Sequence, residues 1–160
     1  MKQELELKLV EKYPKILKDY KGDPMQTCMS WGIDTADGWY KLLDECMEKL
    51  QYFCDLCSKD GKEVKVIARQ IKEKFGTLRF YLDVEGGNKI ENDIVDDIIN
   101  EAEAESERTC EVTGMPGTIC QQGGWYKVLC YEESRKLKYK ACSQDTEKYW
   151  EEKDNGKWND

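Results

Sequence analysis

The sequence of 160 residues contains no histidine. Histidine is the commonest general base and metal ligand near neutral pH, so its absence excludes Ser–His and Cys–His nucleophile pairs. An enzyme built on this chain would have to use carboxylates, lysine, tyrosine or cysteine. The sequence also lacks a phosphate-binding loop, a nucleophile elbow and a paired metal-carboxylate motif. We therefore expect a protein that is not an enzyme.

Long apolar runs are missing as well. No stretch approaches the roughly 18 apolar residues that a membrane-spanning helix needs. The N-terminal segment is amphipathic and acidic, which is unlike a secretory signal. These features predict a cytoplasmic protein without membrane contact, in which the eight cysteines stay reduced.

Positive charge is in short supply: 25 basic residues face 33 acidic ones, for a net charge of −8. This balance argues against general nucleic-acid binding, and we expect no direct nucleic-acid contact. The charge is uneven, however. Residues 62–81 carry six basic and two acidic side chains, whereas residues 83–111 carry eleven acidic and two basic ones. The two patches indicate either a binding device or simply complementary solvated faces.

Hydrophobic periodicity predicts one α+β domain, with three to four helices packed on a small antiparallel sheet. We place this domain at residues 1–131, with a knuckle-like segment rich in cysteine and glycine at 109–131. Residues 132–160 then form a charged, aromatic extension with a frayed end. The predicted helices cover residues 3–12, 38–58, 64–75 and 90–106, and the predicted strands cover residues 77–82 and 125–131.

The clearest local pattern lies between residues 64 and 82. Val64, Ile67, Ile71 and Phe75 recur at helical spacing, so we expect a helix that ends at Gly76. Leu78, Phe80 and Leu82 then alternate with polar residues, as in a half-buried strand.

Some aromatic and cysteine side chains allow more than one interpretation. The rings of Trp31 and Trp39 either pack over the helix that follows or form a stacking surface for a base or a partner. Cys54 and Cys57 have CxxC spacing but lie at the C-terminal end of a predicted helix. We interpret them as buried structural thiols, with a metal half-site and a redox pair as alternatives.

The helix predicted over residues 90–106 should begin after an Asn88 cap. Its apolar stripe is expected to contain Ile90, Ile94, Ile98 and Ala102, widened by Val95 and Ile99. The opposite face is almost wholly acidic, which is typical of a solvated helix surface. Its acidic residues are Glu91, Asp93, Asp96, Asp97, Glu101 and Glu105.

Several short motifs occur in a fixed order along residues 24–133. In this order they resemble a family of small uncharacterised proteins encoded by phages and prophages. The most specific of them is FGTLRFY, preceded by QIKEK, and the family implies no activity. The motifs are Trp31-Gly32, Gly38-Trp39, FGTLRFY from Phe75, Ala102-Glu103 with Ser106, Cys110 with Gly114 to Gly117, Gly124-Trp125 and Leu129-Cys130.

The resemblance also implies a Cys-x-x-Cys-Gly knuckle that opens at Cys110 and is closed by a cysteine pair opening at Cys130, together binding zinc. Here Thr113 and Glu133 stand where the second cysteine of each pair would be. Threonine is a very poor zinc ligand and glutamate only a passable one, so we expect no cofactor. The remaining candidate zinc ligands are Cys110 and Cys130, with Cys120 and Cys142 as substitutes that the spacing does not require.

The first functional hypothesis is a phage-type protein that binds and blocks, or redirects, a host protein in the host cytoplasm. The resemblance, the negative charge and the lack of a catalytic constellation support it. An acidic face would occupy a basic, nucleic-acid-binding groove on a host defence enzyme, as an anti-CRISPR-like inhibitor would. The predicted partner-binding residues are Asp93, Asp96, Asp97, Glu101 and Glu105.

The alternative hypothesis is a protein that binds a small ligand of the nucleotide type. A strand would place Arg79 and Tyr81 on one face, where a cation grips phosphate and a ring stacks on a base. The simpler interpretation is that Arg79 pairs with a surface carboxylate. The predicted ligand residues are Arg69, Lys72 and Arg79 for phosphate, and Tyr81, Trp31 or Trp125 for the base.

Overall fold

The computed structural model describes residues 1–156, and this part of the chain contains five α-helices and six β-strands. The predicted helices at residues 3–12, 38–58 and 90–106 are confirmed within two residues at each end. In chain order the elements are α1 (Gln3–Lys12), β1 (Ile33–Asp34), α2 (Tyr40–Lys59), β2 (Lys65–Lys74), β3 (Thr77–Glu85), α3 (Lys89–Ser106), β4 (Thr118–Gln122), β5 (Trp125–Leu129), α4 (Tyr131–Leu137), β6 (Lys140–Ala141) and α5 (Gln144–Asp154).

The fold is α+β, as predicted. The strands form two three-stranded sheets, ordered β1-β2-β3 and β5-β4-β6. Pairing is antiparallel except between β1 and β2. The predicted strands at 77–82 and 125–131 therefore lie in different sheets, joined by a bridge between Gly76 and Lys127. Within the described residues, no helix has the length and apolar character needed to cross a membrane.

The helix predicted over residues 64–75 is wrong, because this segment forms strand β2. Val66 and Ala68 point into the core, and Ile71 does so only after a bulge between Ala68 and Gln70. The bulge inserts one residue, so the spacing of inward residues changes from two to three. That irregular spacing resembles helical periodicity in the sequence. Gly76 does adopt positive φ, but in the tight turn of a β2–β3 hairpin.

The main core lies between the first sheet and helices α1, α2 and α3. Helix α2 contributes most of one wall, as its broad apolar face predicts, and Trp39 just before it is fully buried. Trp31 instead is largely exposed, so the expectation that both rings pack over α2 is wrong for Trp31. It belongs to a 3₁₀ turn that leads into β1, which turns the ring away from the core.

Helix α3 begins with a complete capping box, in which Asn88 and Glu91 satisfy each other's backbone amides, as the predicted Asn88 cap requires. Its buried stripe differs from the expected one. Val95 is fully buried, whereas Ile90 is 68% and Ile94 39% exposed. The buried side chains recur one position further along, at Glu91, Val95, Ile99, Ala102 and Ser106.

A second core lies beneath the sheet β5-β4-β6. It buries three cysteines together with Leu129, Ala141 and Trp150. Ala141 and Trp150 follow the boundary proposed after residue 131, so residues 132–154 pack against the segment before them. Of the end predicted to fray, residues 151–154 are helical, and residues 157–160 lie outside the described residues.

Candidate functional site

The Gly38-Trp39 motif packs the segment before α2 against the backbone of residues 109–114. A Cβ added at Gly38 would lie 2.5 Å from both the carbonyl oxygen of Cys110 and the backbone nitrogen of Gly114. The neighbouring indole of Trp39 donates a hydrogen bond to the Thr109 carbonyl at 2.8 Å. Only glycine permits so close an approach of two backbones. These motif residues therefore build the fold and do not form a ligand site.

The same applies to the Ala102-Glu103…Ser106 motif. Strand β3 is the edge of its sheet, and two of its backbone amides are satisfied by side chains of α3. The amide of Leu78 donates to Ser106 Oγ at 2.9 Å, and that of Phe80 donates to a carboxylate oxygen of Glu103 at 3.1 Å. The C-terminal end of α3 thus closes an edge that would otherwise offer free backbone groups to another strand.

The predicted acidic partner site lies on the outer surface of α3. Asp93, Asp96, Asp97 and Glu101 are exposed and Glu105 is half-buried. Asp93 pairs with Lys89 at 2.6 Å, Glu101 with Lys49 at 2.7 Å, and Glu105 with Arg108. Across the described part of the chain, Asp96 and Asp97 form no ion pair, so their charges are free to meet a cationic partner.

The sequence did not reveal that this acidic surface also carries apolar side chains. Each isoleucine of the pair Ile90 and Ile94 precedes an aspartate, Asp93 or Asp97, by three residues, and the two pairs are four residues apart. This spacing places all four side chains on one side of α3. The apolar pattern of α3 does not distinguish the two possibilities, because a stripe that begins at Ile90 and a stripe that begins at Glu91 have the same four-residue spacing. The stripe that is buried contains the carboxylate of Glu91, which an apolar pattern cannot identify.

Helix α2 extends this apolar surface. Two ion pairs, Lys49–Glu101 and Lys62–Glu91, set an antiparallel register between the end of α2 and the start of α3. The exposed side chains of Tyr52 and Leu56 lie between these ion pairs along α2, beside the half of α3 that carries the two isoleucines. We name the surface formed by Tyr52, Leu56, Ile90, Asp93, Ile94, Asp96, Asp97 and Glu101 the α2–α3 surface.

The residues predicted to grip phosphate do not form one free cluster. Arg69 is held between Asp19 and Asp83, with nitrogen–oxygen distances of 2.6 Å to each. Arg79 donates to the Leu78 carbonyl at 2.6 Å and lies 3.6 Å from a Glu103 oxygen. Arg79 therefore pairs with a carboxylate, as the simpler interpretation has it. A phosphate would have to displace carboxylates from both arginines.

The remaining predicted ligand residues are spread over two sheets. Lys72 and Tyr81 share the outer face of the β2–β3 hairpin, where the Lys72 ammonium lies 5.7 Å from the Tyr81 ring centroid. Trp31 lies beside β1, at the opposite edge of the first sheet, and Trp125 starts β5 in the second sheet. The structure thus brings Lys72 and Tyr81 together but does not join both tryptophans to them.

At the knuckle positions, Thr113 and Glu133 make contacts within the protein. The Thr113 hydroxyl lies 3.7 Å from Cys130 Sγ, and the Glu133 carboxylate pairs with Lys136 at 3.2 Å. Burial raises the pKa of the Cys110 thiol, but hydrogen bonds from the Thr113 hydroxyl and nearby backbone amides outweigh this, so its pKa is lowered. Structural zinc needs four nitrogen or sulfur ligands. Residues 1–156 contain no group of three or more His, Cys, Asp or Glu side chains placed to hold a metal.

The CxxC cysteines are placed as structural thiols. Cys57 is buried, and burial raises the pKa of the half-buried Cys54 thiol, which disfavours a reactive thiolate. Cys54 lines a cavity of about 510 Å³ between α2 and β2. The cavity walls combine lysines with carboxylates, including Lys15, Lys18, Asp55, Glu63 and Glu85, and this mixture does not favour a ligand of either charge.

No family model, no curated protein and no solved structure matches this chain. What this protein binds is therefore inferred from the surfaces of the molecule. Of these, the α2–α3 surface combines uncompensated charge with exposed aliphatic side chains.

Proposed function

We propose that this chain is a phage-type, non-enzymatic binding protein that acts in the host cytoplasm and antagonises a host protein. The α2–α3 surface docks on a basic region of that partner, such as the nucleic-acid-binding groove of a defence enzyme. An anti-CRISPR-like inhibitor would work in this way, by occupying a groove that otherwise holds nucleic acid.

The observation that carries the proposal is the exposure of Ile90 and Ile94 among aspartates on one helix face. A merely solvated helix face needs no aliphatic residues, and burying each isoleucine on binding would contribute about 1.5–3 kcal/mol. Unpaired charges around such anchors set orientation and association rate, because they attract a basic surface and repel an acidic one. The combination indicates a protein partner.

Charge reversal tests this proposal directly. The triple variant Asp93→Lys, Asp96→Lys, Asp97→Lys should weaken capture of the host protein by about 100-fold or more, because like charges would then face each other. Folding should survive, since within residues 1–156 these aspartates form one ion pair, the exposed one between Asp93 and Lys89, and such pairs contribute little.

The matched control reverses three exposed carboxylates elsewhere: Glu4→Lys, Glu11→Lys and Asp145→Lys. It changes the net charge by the same amount but leaves the α2–α3 surface intact. Native mass spectrometry of tagged protein recovered from host lysate gives the mass of the complex for each variant. Equal capture by both triple variants would contradict the proposal.

A further inference from the structure

A second surface lies at the tip of the β2–β3 hairpin, where the backbone of Phe75 is strained. Phe75 has φ +55° in the two-residue turn, and its ring is 70% exposed. A bulky L-residue in the left-handed region costs free energy that a buried ring could offset, but this ring is not buried. The turn is held by Glu73, whose carboxylate accepts the Gly76 amide at 2.5 Å. Strain without compensating burial indicates a role for the ring outside the fold.

Two further aromatic side chains lie beside this tip. Gly76 forms a parallel bridge with Lys127, and Tyr126 and Trp125 precede Lys127 by one and two residues. Trp125 and Tyr126 are neighbours on β5, so their side chains point to opposite faces of the sheet. Trp125 is 76% exposed and Tyr126 is partly exposed. The hairpin tip and the start of β5 thus each carry one largely exposed ring, Phe75 and Trp125.

Two lysines lie beside aromatic rings of this hairpin. The ammonium of Lys74 lies 5.4 Å from the Phe75 ring centroid, and Lys72 lies over Tyr81 on the same outer sheet face. In contrast to Arg69 and Arg79, neither lysine pairs with a carboxylate in residues 1–156. The exposed Asp34 is in register with Lys72 on the neighbouring strand but forms no ion pair with it.

We propose that this aromatic and basic face, formed by Lys72, Lys74, Phe75 and Tyr81 with Trp125 beside the tip, binds single-stranded nucleic acid. Bases stack on the rings without sequence preference, and the two ammonium groups contact phosphates. Rings as exposed as Phe75 and Trp125 stand out from the surface and do not line a pocket. This suits a flexible strand that lays successive bases against them better than a mononucleotide, which has to be enclosed.

The net charge of −8 does not exclude this ligand: Asp34 and Glu73 adjoin Lys72, but the exposed aspartates of α3 lie elsewhere. Helix α3 packs on the inner face of the first sheet, whereas Lys72 and Lys74 point outward. Ser106, at the end of α3, contacts β3 near the hairpin tip. Along the helix axis, Asp93 lies about 20 Å and Asp97 about 14 Å from Ser106. Both distances exceed the screening length of about 8 Å at physiological salt.

The test is fluorescence anisotropy with labelled 12-nucleotide oligo(dT) and oligo(U) at about 50 mM salt. The intact protein should bind, and log K should fall with log salt with a slope of about −1.4, from two phosphate contacts of about −0.7 each. Phe75→Asn should weaken binding about tenfold, since one stacking ring is lost. The double variant Lys72→Glu, Lys74→Glu should abolish binding.

The matched controls are Tyr149→Asn, an exposed ring on α5, and the pair Lys8→Glu, Lys41→Glu, two exposed lysines away from this face. Both should bind like the intact protein. Failure of the intact protein to bind the oligonucleotides, or equal affinity of Phe75→Asn and Tyr149→Asn, overturns the proposal. A third result would also overturn it: the intact protein binds no oligonucleotide, and Phe75→Asn no longer captures a host protein. That result would assign the face to a protein partner.

Discussion

Two phenylalanines of the FGTLRFY run differ sharply in what they contribute to stability. Phe75 is exposed and has positive φ, whereas Phe80 is only 3% exposed and packs in the main core. We compare Phe75→Asn with Phe80→Ala. Asparagine tolerates the left-handed region better than other non-glycine residues, so the first change removes the ring and much of the strain together.

The expected changes in the free energy of unfolding follow from the exposed fractions of the two rings. Relief of the left-handed penalty at Phe75 contributes about 1–2 kcal/mol. Against this, the covered part of the ring is about 60 Å², worth about 1.5 kcal/mol at 25 cal/mol per Å². The two effects nearly cancel, so the free energy of unfolding should change by less than about 1 kcal/mol. Phe80→Ala empties a core position and should cost about 3–5 kcal/mol.

Urea and thermal denaturation, both followed by circular dichroism, compare the two variants with the intact protein. For a chain of this length, Phe75→Asn should shift Tm by no more than about 4 °C, whereas Phe80→Ala should lower it by about 6 °C or more. If Phe75→Asn lowered the free energy of unfolding by more than about 2 kcal/mol, the ring would be a packing residue. Strain and exposure would then not describe what Phe75 contributes.

Two further predictions concern the junction of the sheets and the start of α3. Gly38→Ala should lower the free energy of unfolding by about 3 kcal/mol or more, because the added Cβ would clash with backbone atoms of Cys110 and Gly114. Gly61→Ala should lower it less, because a Cβ at Gly61 meets no atom within 4 Å. Urea denaturation compares the two variants. The Lys62 ammonium, which donates a hydrogen bond to the Glu91 carboxylate, lowers the pKa of Glu91. Its stabilising effect is therefore present above the unfolded pKa of about 4.3 and is lost as pH falls through the lower folded value. Urea midpoints at pH 6 and pH 3 should differ less for Glu91→Gln than for the intact protein, and an equal difference would contradict this assignment.

Much of the fold follows from local patterns, and its main failure has a physical cause. Helix α2 and the Asn88 cap depend on residues near in sequence, and both are confirmed. Ile67 and Ile71 have helical spacing, but in β2 Ile67 is buried on the face opposite Val66 and Ala68, and a bulge then brings Ile71 to the face of Val66 and Ala68. A bulge depends on how β2 pairs with β3, which periodicity within β2 does not report.

The candidate site was predictable in its charge but not in its apolar part. Asp96 and Asp97 were assigned to an exposed acidic face, and the structure places both there. Ile90 and Ile94 were assigned to the core. Their exposure follows from the rotation of α3 on the sheet, which the contacts of Val95 and Ile99 with the core decide.

The sequence by itself determined the absence of histidine chemistry, the separation of basic and acidic stretches, and the helices whose apolar faces and caps are local. The tertiary structure decided which face of α3 is buried, that residues 65–74 form a strand, and that Phe75 is presented beside Trp125. Each of these depends on contacts between residues far apart in the chain, such as Gly76 with Lys127. Local propensity differs by less than about 1 kcal/mol between such alternatives, so tertiary packing decides them.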